Sequence, residues 1–214
     1  MVRVGAFTLL ASSIAVAIGA AMPADPLPLL SYVRVGGTRV AFESDTFSTP
    51  SHREATVQST VQQVERALGR TVARDTGDAA GHSRLLCYRL GGRSSDALVF
   101  ESSEMGGGTR ITGFNVVPAG TRPDLEQSCR SIPVGVQSVV TDRGIRIGLT
   151  RKEVDALLGR PGRDSAGVVL YEKDVDSVWT DHGKRVPYNQ SSGFNLIFTD
   201  GRLAAIYGWR VDAS

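Results

Sequence analysis

Metal-binding and nucleophilic residues are scarce in this sequence. Among 214 residues there are two cysteines and three histidines. His52, His82 and His182 stand far apart in polar stretches, with no HxxxH spacing that would place two imidazoles on one helix face. Neither GxSxG nor SxxK occurs, so two common settings for a nucleophilic serine are missing. Gly106-Gly107-Gly108 precedes Thr109 without a following Lys-Ser/Thr pair, which marks a hairpin turn and not a phosphate cradle. An excess of one charge is lacking too. The 24 basic and 22 acidic residues leave a formal +2, so neither a nucleic-acid footprint nor a patch for anionic membranes is implied. No motif calls for a cofactor, and neither cysteine has a CxxC or metal-ligand companion.

What is present is an ordinary globular composition, 41% hydrophobic and 21% charged. Arg3 is followed by an uncharged stretch through Met22, rich in Ala, Val, Ile and Leu, with small residues at Ala17, Gly19, Ala20 and Ala24. Residues 1–24 therefore read as an export signal, or as an N-terminal anchor if left uncleaved. No cysteine stands near its end to carry a lipid. In an exported chain, an even cysteine count points to a Cys87–Cys129 disulfide over two buried thiols. Closing a loop of that size contributes about 4 kcal/mol when the geometry is relaxed. The expected location is periplasmic or secreted, without stable membrane insertion once the signal is removed.

Beyond the proline-rich tether that follows, Tyr32–Val35 and Thr38–Phe42 flank Gly36-Gly37 as a hairpin. Ser51 and Glu54 form a capping box, and Val57, Val61, Val64 and Leu68 lie on one helical stripe ended by Gly69. Residues 71–83 are polar and read as a loop. Strands are expected over Leu85–Leu90, Ala97–Glu101 and Thr109–Val117, with a linker over residues 119–133. Val134–Val140 and Gly144–Ile147 suggest another short hairpin. Next comes the best-marked helix. Thr150 and Glu153 make a capping box, Leu149 and Val154 a hydrophobic staple, and Gly159 with Pro161 the stop. A strand at Gly167–Tyr171 precedes a protruding hairpin or long loop around Asp181-His182-Gly183-Lys184. Asp200-Gly201 then joins two apolar alternating runs, a strong hairpin signal.

The two halves repeat. Val64–Arg70 matches Val154–Arg160, Leu86-Cys87-Tyr88 matches Val169-Leu170-Tyr171, Val99-Phe100-Glu101 matches Ile197-Phe198-Thr199, and Ile111–Val116 matches Ile206–Val211. The expected fold is α+β, in two tandem units of residues 31–118 and 134–214, each a helix packed on a small antiparallel sheet. The phrase Ile147-Gly148-Leu149-Thr150 … Val154 … Leu157-Leu158-Gly159-Arg160-Pro161, with Tyr171 and a terminal hairpin, resembles the SmpA/OmlA family of outer-membrane assembly accessory proteins. The tandem arrangement is similar in architecture to the β-lactamase-inhibitor proteins. Both resemblances imply a fold and carry no binding residues.

Binding is better supported than catalysis. Trp179, Tyr188, Tyr207 and Trp209 concentrate in the second half, and such side chains serve as interface anchors. Tyr207 and Trp209 share one strand face while Ile206 and Gly208 share the other, so a helix covering Ile206 leaves the aromatic pair on an open face. The expected function is a non-catalytic, exported interaction module of the bacterial cell envelope with a protein partner. Two alternatives are a secreted inhibitor of a hydrolase such as a β-lactamase, and an envelope hydrolase using Asp181-His182. Glu172, Asp174 and Asp176 alternate with other residue types, which reads as a solvated strand edge.

Overall fold

The chain lays down strand after strand, interrupted by two short helices. The computed structural model describes residues 28–42, 60–72, 74–78, 81–91, 96–103, 110–125, 127–132, 138–181 and 184–213. The strands are β1 (Tyr32–Val35), β2 (Thr38–Ala41), β3 (Arg74–Asp78), β4 (Gly81–Arg89), β5 (Ala97–Ser103), β6 (Ile111–Val117), β7 (Arg130–Ser131), β8 (Val139–Thr141), β9 (Arg163–Ser165), β10 (Val168–Asp181), β11 (Lys184–Thr199) and β12 (Arg202–Ala213). The helices are α1 (Val61–Leu68) and α2 (Arg151–Leu158). The expected signal, residues 1–24, lies outside the described residues. Within them no helix is long and apolar enough to cross a membrane.

Both helices begin where a threonine closes a reciprocal box. In α2, Thr150 accepts from the Glu153 amide while the Glu153 carboxylate takes the Thr150 amide at 2.7 Å, and Gly159 turns left-handed at φ 68° to end the helix. Leu149 and Val154, the expected staple, are both buried. In α1 the box is Thr60 with Gln63, at the threonine that starts the helix. The Ser51–Glu54 box lies outside the described residues. Each helix turns its apolar stripe inward, Val61, Val64 and Leu68 from α1 and Val154 and Leu158 from α2.

Sheet pairing corrects the expectation of an α+β chain built from two helix-on-sheet units. The protein is mostly β, and its main sheet has nine strands in the order β3-β4-β5-β6-β12-β11-β10-β9, with β7 added parallel to β4. The two halves meet where β6 pairs antiparallel with β12, Val116 opposite Ile206, Asn115 opposite Tyr207, Phe114 opposite Gly208 and Gly113 opposite Trp209. The repeat is present inside this single sheet as a pseudo-twofold relation. Thr60 bridges Arg110 just as Thr150 bridges Arg202. Each half also has a register shift at the matching point, between Glu101 and Ser102 on β5 and between Ile197 and Phe198 on β11. These landmarks equate Phe100 with Leu196 and Phe114 with Ile206. The helix and Tyr88/Tyr171 alignments therefore stand as expected, whereas the two later strand matches slip by two and three residues.

Two further local expectations change. Residues 71–83 are not a loop throughout, because β3 pairs with β4 from Arg74 opposite Leu85 to Asp78 opposite Gly81. An edge strand with exposed Arg74 and Asp75 needs no apolar pattern. β8 finds its strand partner in β1, giving a separate three-stranded sheet β2-β1-β8, and toward residues 144–147 it makes only a tight turn, the Thr141 amide donating to the Ile145 carbonyl at 3.0 Å. Around Asp181 the hairpin alternative holds, β10 and β11 remaining paired out to Asp181 opposite Lys184.

The small sheet and both helices cover the same face of the large one. Val33, Val35, Val40 and Val139 join Val64, Val154, Leu98, Phe114, Phe194 and Ile206 in one core. The N-terminal strands span the seam between halves. Phe42 stacks at 5.6 Å from Phe114 on β6, and the Leu29 amide donates to Ser192 Oγ on β11 at 2.8 Å.

Equivalent tyrosines pin the two helices to the sheet. The Tyr88 hydroxyl donates to the Gly69 carbonyl at the end of α1, and the Tyr171 hydroxyl donates to Asp155 Oδ1 at 2.6 Å on α2. Asp155 Oδ1 also takes the Gly162 amide at 3.0 Å, which fixes the chain leaving α2. Burial raises both phenols well above their ordinary value of 10.0, with the negative charges of Glu65 and Asp155 adding to it. A proton held more tightly when folded gives stability that is complete below the unfolded pKa and lost as pH rises past it. Urea unfolding between about pH 9 and about pH 11 should accordingly show stability falling with pH, less steeply in Tyr88→Phe/Tyr171→Phe than in the parent chain. Parallel pH profiles would show that these phenols do not titrate differently in the fold.

Candidate functional site

The two faces of the large sheet are treated differently along its length. Over the first half, the side away from the helices carries Leu85, Cys87 and Val99, which with Leu125 form a second, smaller core flanked by Ala97 and Cys129. The segment from Pro118 to Ile132 is tied down there. Cys87 and Cys129 form a disulfide across a separation of 42 residues, with Cα atoms 4.4 Å apart. β7 pairs beside Tyr88 and Arg89 where β3 has ended. Nothing corresponding is strapped over the second half among the described residues. There Tyr207 and Trp209 lie on the uncovered face, half-buried and outside both cores, while Ile206 beside them is fully buried beneath the helices.

The neighbours of Trp209 explain its placement. It stands opposite Gly113 on β6 and Gly193 on β11. A β-carbon at Gly193 would fall 2.8 Å from Trp209 Cζ2, so the indole lies across a glycine that leaves room for it. Gly208 serves the opposite face in the same way, since a β-carbon there would meet Phe114 Cε1 at 2.3 Å. The outcome is an aromatic side chain on each surface of the seam. Tyr207 sits at the pseudo-twofold position, opposite Asn115 on one side and Asn195 on the other.

Together these groups line an open depression of about 440 Å³, with Glu101, Thr112, Asn115, Arg122, Tyr207 and Trp209 in its wall. Arg122 comes from the strapped segment. Its guanidinium is held in a fork, Nε and Nη2 each donating to the Asp124 carboxylate at 3.0 Å. That hydrogen-bonded pairing raises the guanidinium further and lowers the exposed Asp124 carboxyl, so both charges persist across the ordinary pH range. The depression thus offers an aromatic floor, amide and hydroxyl groups, and one cation at its rim. Such a surface suits polar–aromatic docking.

Not all four aromatic candidates converge there. By register, Tyr188 lies opposite Ser177 and Trp179 opposite Val186. Along β11, Tyr188 is five positions from Gly193, or about 17 Å at strand rise. Their side chains lie outside the described residues. Asp181 ends β10 at the far tip of the same hairpin, and His182 lies outside the described residues. No group of three or more His, Cys, Asp or Glu side chains is placed to hold a metal ion among the described residues.

Sequence reasoning placed Tyr207 and Trp209 on one strand face by alternation alone, but Arg122, Asn115 and Glu101 were not singled out. For Arg122 no local signal exists, because it lies in an irregular segment held over the sheet by long-range contacts, the Leu125 core, β7 and the disulfide. The glycines did carry a signal. Gly193 inside a strand marks close approach by another group. Compared with known protein families, characterised proteins and solved structures, the chain matches none.

The strap sets which half is covered, and its contribution is measurable. Cys87→Ala/Cys129→Ala should lose about 4 kcal/mol in urea unfolding, with faster amide exchange at Leu125 and Arg130–Ser131. A loss under about 1 kcal/mol with unchanged exchange would mean that the segment is held by its own packing.

Proposed function

We propose that this protein is a non-catalytic, exported interaction module of the bacterial cell envelope that binds a protein partner through the uncovered face around Tyr207 and Trp209. The observation that carries the reading is the asymmetry of the sheet. The same face is sealed over part of the first half by a disulfide-held segment, yet at the seam with the second half it exposes a depression in which Tyr207 and Trp209 face Arg122, Asn115 and Glu101. Large aromatic side chains beside a fixed guanidinium are the residue types that dominate binding energy at protein interfaces. The disulfide supports an extracytoplasmic location, together with the signal-like residues 1–24. Asp181 sits at the tip of a two-stranded hairpin and not in the wall of the depression, which favours binding over the hydrolase alternative. The partner is a protein with a complementary polar and aromatic patch, and neither nucleic acid nor a cofactor enters the reading.

Capture from native envelope extract with cross-linking and mass spectrometry tests it. The parent chain should retain one envelope protein, and Tyr207→Ala and Trp209→Ala should each weaken that retention at least about tenfold. Each substitution removes a half-buried ring at a stability cost of about 1–2 kcal/mol. Asn115→Arg, which inserts bulk and charge on the same face, should block capture without opening the core. Retention by all three variants would contradict the proposal, as would capture that follows their stability and not their position.

A further inference from the structure

The projecting hairpin offers a second surface, independent of the depression. β9 pairs with β10 only over Val168–Leu170, although β10 continues to Asp181. On the other side, β12 covers β11 no further than Asn189 opposite Ala213. Beyond those limits the arm is two strands wide, and from Tyr171 to Asp181 the outer side of β10 pairs with no strand among the described residues. Antiparallel geometry makes alternate residues aim both backbone groups at the same neighbour. The phase is set by Glu172, whose carbonyl points outward to accept Arg160 Nη1 at 2.9 Å. Asp174, Asp176, Val178 and Thr180 therefore also present their amides and carbonyls outward.

The same alternate positions carry an acidic row. Glu172, Asp174 and Asp176 are exposed on one face, and Val178 beyond them is 49% exposed. Asp174 accepts from Ser191 Oγ at 2.5 Å and Asp176 from Asn189 Nδ2 at 3.1 Å, so these two carboxylates are steadied by β11. Glu172 is paired with Arg163 at 3.3 Å. Charges on an edge strand oppose unwanted pairing, and here the opposition has a sign. Antiparallel pairing of β10 with a second copy of itself would bring two acidic rows onto one face, where opposed like charges destabilise a ladder. A basic strand meets no such repulsion.

We propose that the outer edge of β10 accepts an added strand from a partner, an extended peptide segment with Lys or Arg at alternate positions. Main-chain hydrogen bonds to the outward groups of Asp174, Asp176 and Val178 supply the affinity, and the carboxylate row selects for charge. This site shares no residue with the Tyr207–Trp209 face, so either assignment can fail alone.

Titration of the disulfide-bonded chain with three short synthetic peptides, followed by amide exchange, tests the proposal. One alternates Lys with Val, the second replaces each Lys by Glu, and the third is the first peptide N-methylated at every Lys, which keeps the charge and removes the pairing amides. The first peptide should bind and slow exchange at Asp174, Asp176 and Val178, and the other two should bind at least about tenfold more weakly. Asp174→Asn/Asp176→Asn, which retains acceptors for Ser191 and Asn189, should weaken the first peptide about tenfold. Tyr207→Ala/Trp209→Ala should bind it as the parent does. Equal binding of the N-methylated peptide would reduce the site to a charge contact and overturn strand addition. Binding without slowed exchange on β10 would also overturn it. So would slowing that grows with protein concentration in the absence of peptide, which would assign the edge to a second copy.

Discussion

The pairing of β6 with β12 is the constraint on which the rest of the structure depends. It joins segments separated by about ninety residues, and it turns two similar stretches into one sheet. A helix with three or four strands is a small structure to stand alone. Joined edge to edge, the halves share a core that neither holds by itself, roofed by α1, α2 and the N-terminal three-stranded sheet. Glycine makes the seam tight. Gly208 lets Phe114 press against β12 from the core side, Gly113 lets β6 come close to the Gly208 carbonyl, and Gly193 leaves room for Trp209 on the other face.

Symmetry is then broken on one face only. The helices and their tyrosines repeat in position, although Tyr88 donates to the Gly69 carbonyl and Tyr171 to the Asp155 carboxylate. The opposite face does not repeat, because the segment through Leu125 is bound over the first half by the disulfide and β7. That segment adds a second core and delivers Arg122 to the boundary with the bare half. The pseudo-twofold relation accounts for the scaffold, and the segment between the halves accounts for much of the difference between them. The long β10–β11 arm adds to the difference, since β4 and β5 in the first half are only nine and seven residues long.

What could be read in the sequence was local. The Thr150–Glu153 box with the Gly159 stop, and the Asp200-Gly201 turn with both residues at positive φ, are each encoded within a few residues. The face of Tyr207 and Trp209 followed from alternation along one strand. The architecture was not legible, because no local pattern says that β6 pairs with β12 instead of ending a unit. The repeat alignment slipped because it paired like with like, Phe100 with Phe198 and Gly113 with Gly208, whereas the equivalent sheet positions hold different apolar residues, Phe100 with Leu196 and Phe114 with Ile206. Arg74–Asp78 passed for a loop because exposed edge strands need no apolar stripe. Arg122 reaches the depression on a segment held by long-range contacts, which spacing cannot locate in space.

Native-state hydrogen exchange across a urea series tests the central claim most directly, that the halves are one cooperative sheet closed at β6–β12. The account predicts that amides of Phe114 to Val116 on β6 and Ile206 to Trp209 on β12 exchange only through global unfolding. Those of Leu86 and Phe100 in one half and Tyr171 and Leu196 in the other should converge on the same limit. Two separate limits, with one half opening while the other stays protected, would contradict it.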